Sequence, residues 1–178
     1  MITTARLVLR EMTVADYGGL AQILQDPETM TAYEGAFSES ATRGWLARRF
    51  QQYAQWGHSL WAVTFPEAPD QMIGQCGLTY QDIEGESVLE VGYLFNRAYW
   101  GQGYATEAAR ACVDHAFAEL GADQVFAIIR DTNLRSMNVA IRCGMEVRCR
   151  FTKHYRGVDM PHLAFSVRRT DRGGRDPH

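Results

Sequence analysis

The chain has 178 residues, of which 46% are hydrophobic; this suits one domain with a sizeable core and excludes disorder throughout. The formal net charge of −3 argues against nucleic acid as a partner. No apolar run reaches the roughly 18 residues of a membrane span and no signal-peptide pattern precedes the first strand-like stretch, so we expect no membrane partner and a cytoplasmic location.

The first half of the chain predicts a strand, two helices and then three strands. "ARLVLREM" is strand-like, and Thr13 with Asp16 resembles the capping box that starts a helix. A second amphipathic helix is predicted over residues 40–56, ending at Gly57. The three strands that follow, separated by the turn-like segments "PEAPDQ" and "QDIEGE", are "SLWAVTF", "QMIGQCGLTY" and "SVLEVGYLF".

The second half alternates helix and strand. Apolar residues keep helical spacing over residues 105–120, and Gly121 is a typical helix end. "QVFAIIR" predicts a short buried strand, and "LRSMNVAIRC" predicts a helix that ends at Gly144. Two strands, "EVRCRFTKHYR" and "PHLAFSVRR", complete a single domain expected to span residues 1–169. The polar, glycine-rich residues 170–178 are expected to form a disordered tail.

These elements predict the α+β class, with a mixed, mostly antiparallel central sheet of about seven strands and helices on both faces. The parallel pair should be "SVLEVGYLF" and "QVFAIIR", joined by the long helix through a right-handed crossover. The four cysteines form no CxxC pair and no histidine lies near them at zinc spacing, which favours reduced thiols in or near the core.

A glycine-rich loop, "YWGQGYATEA" at residues 99–108, directly precedes the long helix. The first N–H groups of a helix lack partners and lie at its positive end, and Gly101 and Gly103 leave the backbone bare. The loop therefore predicts a site for a phosphate-sized anion, with a flexible strand–helix turn as the alternative. Thr106 replaces the third glycine of a dinucleotide fingerprint, and the lysine of a P-loop is missing.

The sequence resembles the GNAT superfamily of N-acetyltransferases, and most closely the branch that includes acetyltransferases of ribosomal-protein N-termini. The family signature, Gln/Arg-x-x-Gly-x-Gly/Ala, here reads Trp100-Gly101-Gln102-Gly103-Tyr104-Ala105, so Trp100 departs from it and provides no side-chain cation. The likeness covers about residues 3–169. The other segments that carry it are "TARLVLREMTVADY", "LEVGYLF", "NLRSMNVAIRCGM" and "RGVDMPHLAFSV".

The resemblance implies acetyl-CoA as co-substrate, no metal, and a parallel pair of strands that splay apart around the pantetheine arm. It places the backbone of Val91, Tyr93, Leu94 and Phe95 along the pantetheine and thioester. Gly92 suits a bulge or a close backbone approach, or alternatively packs against a large side chain. The residues implied at the pyrophosphate are Gly101, Gln102, Gly103, Tyr104, Ala105 and Thr106.

Three polar residues are candidates for the chemistry. Glu90 is the ionisable residue in "VLEVGYLF", and a carboxylate in an apolar strand pairs with a cation, faces a polar cleft or has a raised pKa. The last two suit a general base, acting directly or through water, whereas a structural ion pair or a substrate-orienting carboxylate is the alternative. Asn133 is placed to cap a helix. By resemblance Asn133 contacts the coenzyme and Ser136 protonates the departing thiolate, since Ala140 stands where many relatives have a tyrosine.

The implied reaction is direct transfer from acetyl-CoA to an amine, without an acyl-enzyme. The acceptor is either a peptide N-terminus or a small amine, and the protein either a monomer or a homodimer. The alternatives are a non-catalytic acyl-CoA-binding or sensing module and another kind of nucleotide-binding protein.

The acceptor site is expected from "TMTAYEGAFSES" and "KHYRGVDM". His154 and His162 have no ligand-like spacing and are read as structural. Four aromatic residues are interpreted as core rather than pocket walls: Tyr33, Trp56, Trp61 and Tyr155. The acidic residues that would attract a cationic amine, or simply be solvated, are Glu34, Glu39, Asp82, Glu84 and Glu86.

Overall fold

The computed structural model describes residues 1–172. Its strands are β1 (Ile2–Thr3), β2 (Val8–Arg10), β3 (Leu60–Thr64), β4 (Gly74–Ile83), β5 (Glu86–Phe95), β6 (Gln124–Arg130), β7 (Glu146–Tyr155) and β8 (Val158–Arg168). Its helices are α1 (Tyr17–Leu24), α2 (Glu39–Trp56), α3 (Tyr104–Ala118), α4 (Leu134–Arg142) and α5 (Arg169–Arg172).

The strands form one eight-stranded sheet in the order β1-β2-β3-β4-β5-β6-β8-β7. β5 and β6 are parallel and the other neighbours are antiparallel, which confirms the α+β prediction and the predicted parallel pair. The sheet has one strand more than the expected seven because residues 2–3 add a short edge strand. The first predicted strand is shorter than "ARLVLREM", since Thr4 and Leu7 close a turn through their backbones at 2.9 Å.

Helices cover both faces of this sheet. Leu89 and Val91 of β5 pack with α3, in a cluster that includes Cys112. Leu94, which points to the opposite face because strand side chains alternate, packs with a cluster from α1 and α2 that includes Leu20. The core therefore has two layers, one on each side of the sheet.

Local signals set the ends of the helices. The Ser38 hydroxyl accepts the Ala41 N–H at 3.1 Å and starts α2, and Gly57 ends it with a φ of 74°. Thr13 and Asp16 hold a 3-10 turn that leads into α1, as their capping-box pattern indicates, with the Thr13 N–H 2.7 Å from an Asp16 carboxylate oxygen.

Two expectations need correction or restriction. Cys76, Cys112 and Cys143 are buried free thiols, but Cys149 is exposed because it lies on β7, the edge strand of the sheet. Arg169–Arg172 form a short helix at the start of the expected tail, whose residues 173–178 lie outside the described residues. Within residues 1–172, no helix is both long and apolar enough to cross a membrane.

Replacing Gly77 of β4 with alanine is expected to destabilise the fold by roughly 3 kcal/mol. A Cβ at this position would lie 2.1 Å from the Ser59 carbonyl oxygen and 2.6 Å from the Leu60 Cα, and these are backbone atoms that cannot rotate away. The matched control is Gly44→Ala in α2, where a Cβ would meet nothing within 4 Å. Alanine in place of a glycine inside a helix should stabilise the fold by about 0.5–1 kcal/mol. Urea denaturation measures both, and equal midpoints for the two variants would contradict the prediction.

Candidate functional site

A cavity of about 570 Å³ lies where β5 and β6 separate. The two strands share one bridge pair, Glu90 with Phe126. The Ile128 N–H, which faces β5, donates to the Glu90 carboxylate at 3.2 Å. Residues 90–94 of β5 and 127–130 of β6 line the opening that results. The parallel pair is therefore splayed, and Glu90 lies at the point where it opens.

The alternation of the β5 backbone decides which peptide groups face this gap. The Asn96 N–H donates to the Ile73 carbonyl at 2.9 Å, on the β4 side. Because successive strand residues point their peptide groups to opposite sides, those of Leu94 also face β4, and Leu94 lines the cavity with its side chain. The peptide groups that face β6 by the same rule are those of Val91, Tyr93 and Phe95.

Two further β5 contacts refine this picture. The Phe95 carbonyl is occupied, since it accepts the Trp100 indole N–H at 2.8 Å. A Cβ on Gly92 would lie 3.2 Å from the Leu60 Cδ2, and the β4–β5 register runs through Gly92 without a bulge. Gly92 is therefore a packing glycine in the cavity wall rather than a bulge.

The Glu90 carboxyl is electrostatically suited to proton transfer. Burial raises its pKa from 4.5 to about 7, although the Lys153 charge and the Ile128 N–H both lower it. Both protonation states are thus populated near neutral pH. No ion pair involves Glu90 among residues 1–172, so the geometry favours the polar-cleft interpretation over the structural ion pair.

Asn133 and Ser136 also line the cavity. The Asn133 side-chain oxygen accepts the Ser136 N–H at 3.2 Å, so Asn133 caps α4 as its spacing predicts. The Tyr93 hydroxyl donates to the Ser136 carbonyl at 2.7 Å and ties β5 to α4. The three candidates for chemistry therefore share one cavity, although the sequence separates Glu90 from the other two.

A second cavity, of about 660 Å³, lies at the glycine loop. Gly101 and Gly103 have φ angles of 75° and 82°, a left-handed conformation that glycine adopts without strain, and Gly103 directly precedes α3. Gln102 and Thr106 line the cavity with them. The side chains of Tyr104 and Ala105 pack against the core instead, so these two residues offer only helix N–H groups to an anion.

Arginines from three segments of the chain surround this loop. Arg6 donates to the Gln102 carbonyl at 3.1 Å and pairs with Glu107 at 2.6 Å. Arg110 and Arg142 line the same cavity. The sequence shows no cation at the signature position, and it gave no signal for Arg6, whose approach depends on packing between segments 101 residues apart.

The two segments expected to bind the acceptor meet beside the first cavity. Arg156, from the turn between β7 and β8, donates to the Tyr33 carbonyl at 3.4 Å and stacks on Phe37 at 5.0 Å. Tyr155 lines the cavity, so its interpretation as core was wrong, and Tyr33 both lines the cavity and packs against the α1–α2 cluster. Trp61 is buried in the core as expected.

Most of the acidic residues expected to attract an amine do not line this cavity. Among the five, only Asp82 is part of its described wall. Glu34 pairs with Arg130 and Glu39 with Arg43. His162 is buried and His154 pairs with Asp159, although both histidines touch the cavity. Within the described part of the chain, no three His, Cys, Asp or Glu side chains are grouped so that they could hold a metal ion.

Known proteins resemble this chain in sequence and in fold. The acetyltransferase (GNAT) domain family matches residues 6–146. A Bacillus subtilis (strain 168) protein named YkkB is 39% identical over 145 residues, covering 81% of this chain and 84% of that protein. The N-acetyltransferase YnaD of the same organism is 28% identical over 148 residues, covering 81% of each chain.

Solved structures share the fold. An acetyltransferase from Agrobacterium tumefaciens has a TM-score of 0.79 at 26% identity, covering 94% of both chains. RimL, a ribosomal L7/L12 α-N-protein acetyltransferase in complex with coenzyme A, has a TM-score of 0.73 at 16% identity, covering 93% of this chain and 95% of RimL. A Vibrio cholerae spermidine N-acetyltransferase in complex with CoA and spermine has a TM-score of 0.75 at 12% identity, covering 94% and 98% of the two chains.

Proposed function

The chain belongs to the acetyltransferase (GNAT) domain family, and from that membership we propose that it transfers an acetyl group from acetyl-CoA to a primary amine by direct attack in a ternary complex. An acetyl-CoA-dependent acetyltransferase activity follows from the family and from relatives named as N-acetyltransferases. The amine acceptor and the residue roles are our proposal, as is the assignment of residues 1–169 to a single domain.

The observation that carries the proposal is the splayed strand pair with Glu90 at its opening and the glycine loop beyond its end. Coenzyme A fits these residues. The cradle at Gly101 and Gly103 lacks side chains, and the start of α3 and nearby arginines favour its phosphates. The Val91 carbonyl and the Tyr93 peptide groups face the gap that would take the pantetheine arm, whereas the Val91 N–H is used in the single bridge to β6, and Asn133 lines the same cavity.

Acetyl-CoA supplies the activated acetyl thioester when it is bound. We assign to the β5 N–H groups that face the gap the stabilisation of negative charge on the acetyl oxygen. Glu90 takes up the proton of the attacking amine at its carboxylate, directly or through water. Ser136 provides a proton to the departing thiolate and regains one from solvent, which is a light demand because a thiol has a pKa of about 8.5. No cysteine is part of the described cavity wall, which supports direct attack.

The branch of the family, the type of acceptor, the compartment and the assembly are also proposals. The likeness to RimL supports the ribosomal-protein branch as a relative in fold, and the acceptors named for RimL and for the spermidine enzyme belong to those proteins. We retain a peptide N-terminus and a small amine as the two acceptor types. We also retain the cytoplasm as the compartment and a monomer or homodimer as the assembly.

A thiol-release assay with acetyl-CoA against a panel of peptides and small amines tests the proposal. Turnover with at least one primary amine, giving the N-acetyl product by mass spectrometry, is the expected result. Binding of acetyl-CoA without turnover of any amine would favour the non-catalytic module instead. Protection against heating by ATP or NAD, with none from coenzyme A, would favour a nucleotide-binding protein of another kind.

A further inference from the structure

The wall of the cavity between β5 and β6 carries more cations than anions. Its described basic side chains are Arg48, Arg49, Arg130 and Lys153. Its described carboxylates are Asp82 and Glu90, and Glu34 pairs with Arg130 from beside the cavity. Such a wall repels a polyamine, whose charges are all positive, and attracts a molecule that carries an anionic group as well as an amine.

Arg49 is a buried cation that lacks an anionic partner. The residue is 4% exposed, and its guanidinium stacks on Trp45 at 4.6 Å. Among residues 1–172 it forms no ion pair, and its Nε has no hydrogen-bond partner. Burial lowers its pKa to about 10, so it remains charged at neutral pH. A buried charge of this kind is costly unless an anion pairs with it.

Gln75 places a second unpaired donor beside the same indole. Its side-chain oxygen accepts the Trp45 N–H at 3.0 Å, which orients the amide nitrogen away from the ring. That Nε2 atom is buried and has no partner within the described residues. Gln75 lies opposite Leu94 in the β4–β5 register, on the cavity face of the sheet. Two donors of different elements are thus left without acceptors at one end of the cavity.

This end of the cavity is separate from the glycine loop. No residue of the loop is part of the described wall around Arg49, and the loop has its own arginines, Arg6 and Arg110. Tyr33 lines the cavity with Glu90 and Arg49, and both of them act electrostatically on its hydroxyl. Glu90 therefore lines the cavity at the strand opening, with Lys153 near enough to lower its pKa, whereas Arg48 and Arg49 line the cavity from α2.

From this arrangement we propose that the acceptor is a small amine bearing a carboxylate, as an amino acid does, and that Arg49 and Gln75 bind the carboxylate while the amine faces Glu90. This inference rests on the proposed function, since it names the acceptor of the same site. A carboxylate would accept charge-assisted hydrogen bonds from both the Arg49 Nε and the Gln75 Nε2.

The first test compares amines that differ only in the carboxylate. The L-α-amino acids are screened with acetyl-CoA, and each one that reacts is compared with its C-terminal amide and its decarboxylated amine over a range of pH. We expect kcat/KM to be at least about tenfold higher for the carboxylate form, and spermidine to be a poorer acceptor still. Equal kcat/KM for the acid and the decarboxylated amine, or a preference for spermidine, would overturn the inference.

The second test removes the charge of Arg49. Arg49→Met keeps much of the side chain against Trp45 but removes the charge, and is expected to raise KM for the amino acid by roughly 10- to 100-fold, with the decarboxylated amine changed less than threefold. Arg49→Lys should fall in between. Arg43→Met is the matched control, because Arg43 is an exposed arginine of α2 that pairs with Glu39 outside the cavity wall. An equal KM increase for both amines in Arg49→Met would refute the assignment.

Direct binding separates this inference from the proposed function. Amino acids are titrated into the enzyme saturated with coenzyme A, and heat is recorded for wild type and Arg49→Met. If no amine is acetylated yet amino acids bind in an Arg49-dependent way, the proposed function falls, and with it the role of the amino acid as acceptor, while the assignment of Arg49 to the carboxylate stands. If amines are acetylated regardless of a carboxylate, the inference falls and the function stands, and absence of both binding and turnover removes both.

Discussion

Gly103→Glu is expected to weaken the binding of coenzyme A by at least about 100-fold, which corresponds to about 2.7 kcal/mol. Gly103 lies in the left-handed region with a φ of 82°, at the N-terminus of α3. A glutamate there would direct a carboxylate into the proposed phosphate site and pair with Arg6, whose Nη2 lies 3.5 Å from the position of a Cβ. The change thus repels the ligand and occupies one of its cations.

Isothermal titration with coenzyme A measures this affinity. The matched control is Gly121→Glu, since Gly121 is also exposed, has a φ of 65° and would place a Cβ with nothing within 4 Å. Both variants bear the same backbone strain, so a control that binds normally isolates the effect of the site. Unchanged affinity in Gly103→Glu would show that the glycine loop does not hold the phosphates.

Glu90→Gln is expected to lower kcat by about 100-fold or more while the affinity for acetyl-CoA changes little, in line with the usual contribution of a general base. The glutamine oxygen can still accept the Ile128 N–H, so the contact between β5 and β6 at the strand opening is retained. What is lost is the ability to take up a proton. Glu86→Gln on the same strand is the control, because Glu86 is exposed and outside the cavity wall, and it should stay within twofold of wild type.

The pH dependence of kcat gives the sharper readout for Glu90. Because its pKa is raised to about 7, the wild-type rate should fall about tenfold per pH unit below this value and level off above it. In Glu90→Gln this acidic limb should disappear. A variant profile that keeps the same limb would assign the proton transfer to another group.

Stability provides an independent check on the same variant. The folded-state pKa of Glu90 is raised above its unfolded value, so its contribution to stability is present at low pH and is lost as the pH rises through about 7. Glu90→Gln should therefore be more stable than wild type above pH 7, by on the order of 1–2 kcal/mol because the side chain is only half-buried. A stable but slow variant would separate catalysis from folding.

Much of the fold was predictable from local patterns. The bounds of β6 match the segment "QVFAIIR", and α2 ends at Gly57 as expected. These signals depend on periodicity and capping between residues a few positions apart, which the sequence displays directly. The splayed pair followed from the family resemblance, and the structure adds that the Ile128 N–H donates to the Glu90 carboxylate where the strands separate.

The binding residues were harder to predict because they are set by distant contacts. Sequence alone interpreted Tyr33 as core and gave no signal for Arg49 or Gln75, since an arginine in an amphipathic helix ordinarily faces solvent. Trp45 contacts both Arg49 on its own helix and Gln75, which lies 30 positions away in the sequence. Whether such a donor is paired depends on the residues that pack beside it, and sequence spacing does not predict those residues.

The sequence by itself determined the α+β class, the glycine loop before α3 and the carboxylate in β5, because each depends on a pattern of residues that are close together in the sequence. Only the tertiary structure decided that Glu90, Asn133 and Ser136 share a cavity, that Arg6 supports the glycine loop, and which charges face the acceptor. The physical reason is that side-chain burial and pairing are properties of neighbours in space, fixed by sheet register and helix packing rather than by order along the chain.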